Sequence, residues 1–180
     1  MTRTVNIMVG ISGAGKSTWI KKVSAAKHIV GNYVIICPDN ERKKISGDIS
    51  NQECSAEAFQ NCFYQLSKAV DDENIQTIYW DATNLNIKSL NNIMKIVRGS
   101  VNKWSVNVIC LEDSRNWKLC YDRVESDIKN GVDRSKSNVV SETTGQPIIK
   151  DMSDRYVHLV DEFLSDWCKR NNVKLHKVYG

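Results

Sequence analysis

The chain has 180 residues, 41% hydrophobic and 26% charged, which is enough for one globular domain with a buried core. It holds no run of roughly 18 apolar residues, which excludes a membrane-spanning helix, and the apolar stretch in MTRTVNIMVG is too short for a signal peptide. The formal net charge of +4 is compatible with a polyanionic partner without arguing for one.

In chain order, Val5–Val9 predicts a strand, a glycine loop follows, and a helix runs from Ser17 to about Lys27. Tyr33–Cys37 (YVIIC) is a continuous β-rich run and a second strand, and Asp39–Ile45 is helical. From Ser55 to Val70 the apolar residues Ala58, Phe59, Cys62, Phe63, Leu66 and Val70 recur at helical spacing. Ile75–Trp80 is a third strand, ending at Asp81. An amphipathic helix over Ile87–Val97 carries Leu90, Ile93, Met94 and Val97. Trp104–Leu111 is a fourth strand and Trp117–Ile128 a further helix. The polar stretch NGVDRSKSNVVSETTGQP, Asn130–Pro147, is too long for an ordinary connection, and such loops are usually functional or disordered. A helix over Met152–Arg170 and a strand over Val173–Val178 close the chain. Continuous apolar strands separated by helices predict an α/β fold, a parallel sheet of about four to five strands with helices on both faces. The six cysteines form no C-x-x-C pair, which predicts free thiols in a reducing, cytoplasmic compartment. His28, His158 and His176 are isolated and show no metal-ligand spacing.

Gly10-Ile11-Ser12-Gly13-Ala14-Gly15-Lys16-Ser17 satisfies G-x-x-x-x-G-K-[ST] in full, between a strand and a helix as a phosphate loop requires. Glycines let successive backbone N–H groups converge on phosphate oxygens. Gly10, Ser12, Gly13, Ala14, Gly15, Lys16, Ser17 and Thr18 are therefore candidate nucleotide contacts. Lys16 would reach the β and γ phosphates of ATP, and Ser17 would ligate Mg2+. The loop leaves the reaction open. The absence of N-K-x-D argues against a switch GTPase, motor or AAA-type ATPases are usually larger, and a compact chain with the loop at residue 10 looks more like a small kinase.

Phosphoryl transfer to a hydroxyl needs a carboxylate to receive the proton and cations to spread charge. In a parallel sheet these groups should sit at the carboxyl ends of strands. Asp39, in CPDNER, has Arg42 three residues on; it reads either as a general base beside a phosphate-gripping arginine or as a helix N-cap. Asp81 reads either as the partner of the serine–magnesium unit or as a turn residue. Thr83 and Asn84 would bind phosphate or cap the next helix. Arg123, Lys129 and Arg134 are candidate lid cations over ATP, with solvated surface charge as the alternative for each.

With these residues assembled, the chain resembles the 5′-hydroxyl polynucleotide kinases of bacteriophages and RNA-repair enzymes. The resemblance rests on the loop with its Trp19, on Asp39-x-x-Arg42 after the second strand, and on Asp81-Ala82-Thr83-Asn84-Leu85-Asn86 after the third. It covers most of residues 4–160 in order and spacing. It implies a P-loop kinase fold in one domain, residues 1–180, with a helical and loop lid over about 113–150. It also implies ATP and Mg2+ as cofactors. Asp39 would take the proton from a 5′-hydroxyl while Arg42 holds the adjacent phosphate. Lys16 and Ser17, supported by Asp81, would manage ATP and magnesium, and Arg123 and Lys129 would stand at the lid positions. The implied substrates are single-stranded or nicked DNA or RNA ends, with no protein partner and no membrane, in a protein of phage or viral type. The D-x-D-x-T signature of the 3′-phosphatase domain that many relatives carry is missing, so a stand-alone kinase and a domain of a larger repair protein both fit. Two other readings stay open: a P-loop kinase for a small-molecule, nucleotide or sugar-nucleotide acceptor, and a nucleotide-binding module without transfer activity.

Overall fold

A computed structural model describes residues 2–26, 32–135 and 137–180. Five apolar runs become strands: β1 (Arg3–Val9), β2 (Asn32–Ile36), β3 (Ile75–Trp80), β4 (Trp104–Leu111) and β5 (Lys174–Val178). They form one parallel sheet in the order β2-β3-β1-β4-β5. β1 is central, with Val5 opposite Ile78 on one side and Val106 on the other. Residues Val5 to Val9 are buried, which is why this strand is a near-continuous apolar run rather than an alternating one. Its exception, Asn6, is matched across the ladder by Asn107, whose Nδ2 donates to Asn6 Oδ1 at 2.9 Å.

The sheet is flanked by α1 (Lys16–Ala25), α2 (Pro38–Ser46), α3 (Ser55–Asp71), α4 (Ile87–Gly99), α5 (Trp117–Lys129), α6 (Ile148–His158) and α7 (Ser165–Asn171). The expected end of α1 at Lys27, and His28, lie outside the described residues. The helical period of α3 buries Ala58, Cys62, Leu66 and Val70, and Phe63 stacks on Trp80 with ring centroids 5.1 Å apart. The helix expected over Met152–Arg170 differs from its prediction in two ways. It starts at Ile148, directly after Pro147, whose missing N–H costs nothing at a helix start. It also contains a π turn, Leu159–Leu164, between α6 and α7. Such a turn shifts helical phase, and here Tyr156, Leu159, Val160, Leu164, Trp167 and Cys168 all stay buried across it.

The six cysteines are free thiols. Burial pushes Cys62 and Cys110 up to about 12 and Cys120 and Cys168 up to about 11, so all four are protonated packing groups. Among the described residues no helix is long and apolar enough to cross a membrane.

Parallel strands place their carboxyl ends on one edge of the sheet. That edge carries the glycine loop after β1, Cys37–Asp39 after β2, Asp81 after β3, and a 3-10 turn, Glu112–Arg115, after β4. The chain goes to one side of β1 for β2 and β3 and to the other for β4 and β5. Open α/β sheets bind ligands at such a reversal of strand order.

Candidate active site

Three amides of the glycine loop are spent on its own shape. Gly10 N donates to Thr83 O (3.1 Å) and Ala14 N to Ile11 O (3.3 Å); Ile11 N donates to Ser114 Oγ (3.1 Å). The first bond into α1 runs from Trp19 N to Gly15 O at 2.8 Å. The amides of Lys16, Ser17 and Thr18 therefore remain as donors at the positive end of the helix, suited to an anion. Ala14 is buried beneath the loop, Ser12 is half-buried, and Ser17 and Thr18 are exposed.

Gly13 (φ +76) and Gly15 (φ +88) occupy the left-handed region. A Cβ on Gly15 would lie 2.6 Å from the Cα of Gly180, which packs against the loop, and one on Gly13 would collide with the Cys120 carbonyl of α5. Gly13→Ala is expected to destabilise the protein by about 1–3 kcal/mol through backbone strain and this clash. Chemical denaturation tests it, and an unchanged midpoint would show that α5 yields without cost.

Lys16 Nζ donates to Ile11 O at 2.8 Å. Burial lowers the pKa of its ammonium, opposed first by the Asp81 carboxylate and then by that of Asp39. Both sequence-predicted carboxylates thus act on the loop lysine. Ser17 Oγ donates to Asp81 Oδ2 at 2.8 Å, and Asp81 N is anchored to Ile36 O at 2.9 Å, one step beyond the β2–β3 ladder. A hydroxyl and a carboxylate are hard oxygen donors, and they fit Mg2+, which takes few protein ligands and keeps waters and phosphate oxygens. Among the described residues no cluster of three or more His, Cys, Asp or Glu could hold a metal.

Asp39 is not the cap of α2. Cys37 occupies the N-cap without a side-chain bond, Pro38 follows it, and Asp39 lies in the first turn, where the helix dipole favours a carboxylate. Its side chain is 47% exposed and ion-paired with Arg42, which is only 7% exposed. Arg42 Nε donates to Ile49 O at 2.8 Å, tying down the turn after α2. Helical spacing places this carboxylate and guanidinium on one face; the structure keeps them together and buries the guanidinium. Burial, chiefly, pushes the neighbouring Cys37 thiol up to about 11, so it stays protonated.

Arg123, on α5, donates through Nη1 to Gly13 O (3.2 Å) and to Asp113 Oδ2 (2.7 Å), so it lies against the phosphate loop. Lys129 is 76% exposed, with Glu125 at 3.9 Å on its own helix, and Arg134 pairs with Asp127. Asp133, in the polar stretch after α5, reaches Lys43 of α2 at 3.0 Å.

Sequence reasoning missed the turn after β4. Ser114 Oγ receives the Ile11 amide, and Ser153 Oγ of α6 donates to Ser114 O at 2.7 Å. No motif announces these serines; a polar residue just past an apolar strand was the one available signal. Of the alternatives for Thr83 and Asn84, capping falls instead to Asn86, whose Oδ1 accepts from Ser89 N at 2.8 Å. Asn84 points inward.

A five-stranded parallel sheet, a phosphate loop after its central strand, and a serine–aspartate pair beside the loop lysine define a P-loop domain of the kinase type. The chain belongs to the AAA domain family, whose profile matches residues 5–146. The sequence length argues against AAA-type motors, but the AAA domain profile matches residues 5–146 of this short chain, so size does not exclude the family. The fold is similar to that of a protein from Chloroflexus aurantiacus j-10-fl described as a candidate kinase. The TM-score is 0.51 at 14% identity, over 72% of this chain and 69% of that one, a likeness of fold alone. No curated protein matches the sequence.

Proposed function

We propose that the protein transfers the γ-phosphoryl group of ATP to the 5′-hydroxyl end of a polynucleotide, DNA or RNA. The P-loop kinase-type family supports nucleotide-dependent phosphotransfer in general. The half-exposed Asp39 carboxylate in the first turn of α2, which acts on Lys16, supports transfer to a hydroxyl, and the resemblance of Asp39-x-x-Arg42 and Asp81–Asn86 to the polynucleotide kinases supports a 5′-hydroxyl end as that acceptor.

In this reading Asp39 receives the proton of the attacking hydroxyl. Lys16 exchanges its bond to Ile11 O for the β and γ phosphate oxygens, and the amides at the start of α1 hold the phosphates. Ser17 and Asp81 would hold Mg2+, which when bound would neutralise charge developing on the transferred phosphoryl group. Arg123 serves the phosphates from the lid side, with Lys129 as a second lid cation. Arg42 donates through Nε to Ile49 O and through Nη2 to Asp39, and its other guanidinium N–H groups would meet the acceptor phosphate. Residues 1–180 act as one kinase domain with residues 113–150 as its lid. The protonated buried thiols suit a reducing compartment.

The burial of Arg42 favours one competing reading, a small acceptor that brings no adjacent phosphate. The test is transfer of labelled γ-phosphate to a 5′-hydroxyl oligonucleotide, to the same oligonucleotide already 5′-phosphorylated, and to nucleosides and sugar nucleotides. Transfer to the first alone, with affinity falling as salt rises, is expected. ATP bound without transfer to any oligonucleotide would overturn the polynucleotide reading.

A further inference from the structure

The ladder between β1 and β3 ends with Ile7 opposite Trp80. Beyond it one chain enters the phosphate loop and the other the turn over Asp81–Asn86. Besides the Ser17–Asp81 pair, two links hold these segments together. One is the backbone bond from Gly10 N to Thr83 O at 3.1 Å. The other is the side chain of Asn84, which is 4% exposed and sits at φ +51 in the left-handed region. Asparagine enters that region more readily than other residues bearing a Cβ. Asn84 Nδ2 donates to Met8 O at 2.6 Å and to Ala82 O at 3.3 Å, and Oδ1 accepts from Trp80 Nε1 at 3.2 Å. Met8 lies one residue past the last β1–β3 rung, so Asn84 supplies its carbonyl with the donor that the ladder no longer provides.

The phosphate cradle and the cation pair depend on different parts of the chain. The cradle is contiguous, made of Lys16 and the first amides of α1. The cation pair joins Ser17 of α1 to Asp81 after β3, and its geometry depends on how the two segments are registered. A link that only registers them should act on the pair and spare the cradle. We infer that Asn84 is a positioning residue that sets Asp81 against the phosphate loop and thereby tunes the magnesium dependence of nucleotide binding. This rests on the reading of Ser17 and Asp81 as the cation site and is independent of the acceptor.

Asn84→Gly keeps the left-handed backbone available and removes the side-chain links. ATP affinity, measured by titration calorimetry with EDTA and with Mg2+, separates the cradle from the cation pair. The expected result is an unchanged affinity in EDTA and a magnesium-dependent gain reduced by about tenfold, the scale of one lost buried hydrogen bond. The magnesium midpoint shifts upward in parallel. A magnesium gain equal to that of the natural protein, or equal losses with and without magnesium, would overturn the inference. If Asn84→Gly does not fold, Trp80→Phe removes the indole donor to Asn84, along with part of the buried ring that stacks on Phe63, and is expected to reduce the gain about threefold with affinity in EDTA unchanged; an unchanged gain there overturns it too. A failure to phosphorylate oligonucleotides would overturn the acceptor reading and leave this result untouched.

Discussion

Asp39→Asn is expected to lower phosphoryl transfer by about 10²–10⁴-fold, the usual contribution of a positioned general base, while ATP binding stays nearly unchanged. The substitution keeps the side-chain size and an oxygen that can accept from Arg42, so the buried guanidinium retains a partner. Because Cys37 and not Asp39 is the N-cap, α2 loses no capping bond. The stability cost is a fraction of the charge–dipole and ion-pair effects at a half-exposed carboxylate, at most about 1 kcal/mol. Single-turnover transfer, calorimetric ATP binding and thermal unfolding on the same sample separate the roles. Unchanged transfer would remove Asp39 from the chemistry, and loss of ATP binding would make it a structural residue.

Lys16→Met should cripple transfer and spare the fold. Losing the one side-chain cation of the loop is expected to reduce transfer by about 10²–10³-fold, as for other single charge-stabilising donors, with weaker ATP binding. The nucleotide-free protein should unfold at the same temperature or higher. Burial of the ammonium outweighs the pull of Asp81 and Asp39, so its pKa is lowered and the charged form costs stability in the folded state. The unfolded chain, with the higher pKa, then binds more protons over the interval between the two values, and stability rises with pH there. The advantage of Lys16→Met should accordingly shrink as pH climbs toward 10.5, the ordinary lysine value. A variant less stable than the natural protein at neutral pH would show that the carboxylates need this cation more than burial opposes it.

The glycine loop was legible because its chemistry is contiguous: strand, glycines, lysine and helix start follow one another, and local backbone preferences suffice to shape them. The strands were legible for a related reason, since burial on both faces leaves a continuous apolar run that needs no knowledge of partners. Arg42 was harder. Its place on α2 follows from helical spacing, but its burial depends on the turn after the helix bringing Ile49 O onto Nε. Arg123 was a lid candidate by position along α5. Its contact with Gly13 arises because the turn after β4 delivers Asp113 to the same guanidinium.

By itself, then, the sequence determined the alternation of strands and helices, the phosphate loop, and the two carboxylates Asp39 and Asp81 at strand ends, all features written in neighbouring residues. Tertiary structure alone decided the order β2-β3-β1-β4-β5, the pairing of Ser17 with Asp81, the sinking of Arg42, and the inward turn of Asn84 onto Met8 and Trp80. The physical reason is that hydrogen bonding and desolvation depend on which distant groups the fold brings within about 3 Å, and that distance is a property of packing, not of spacing along the chain.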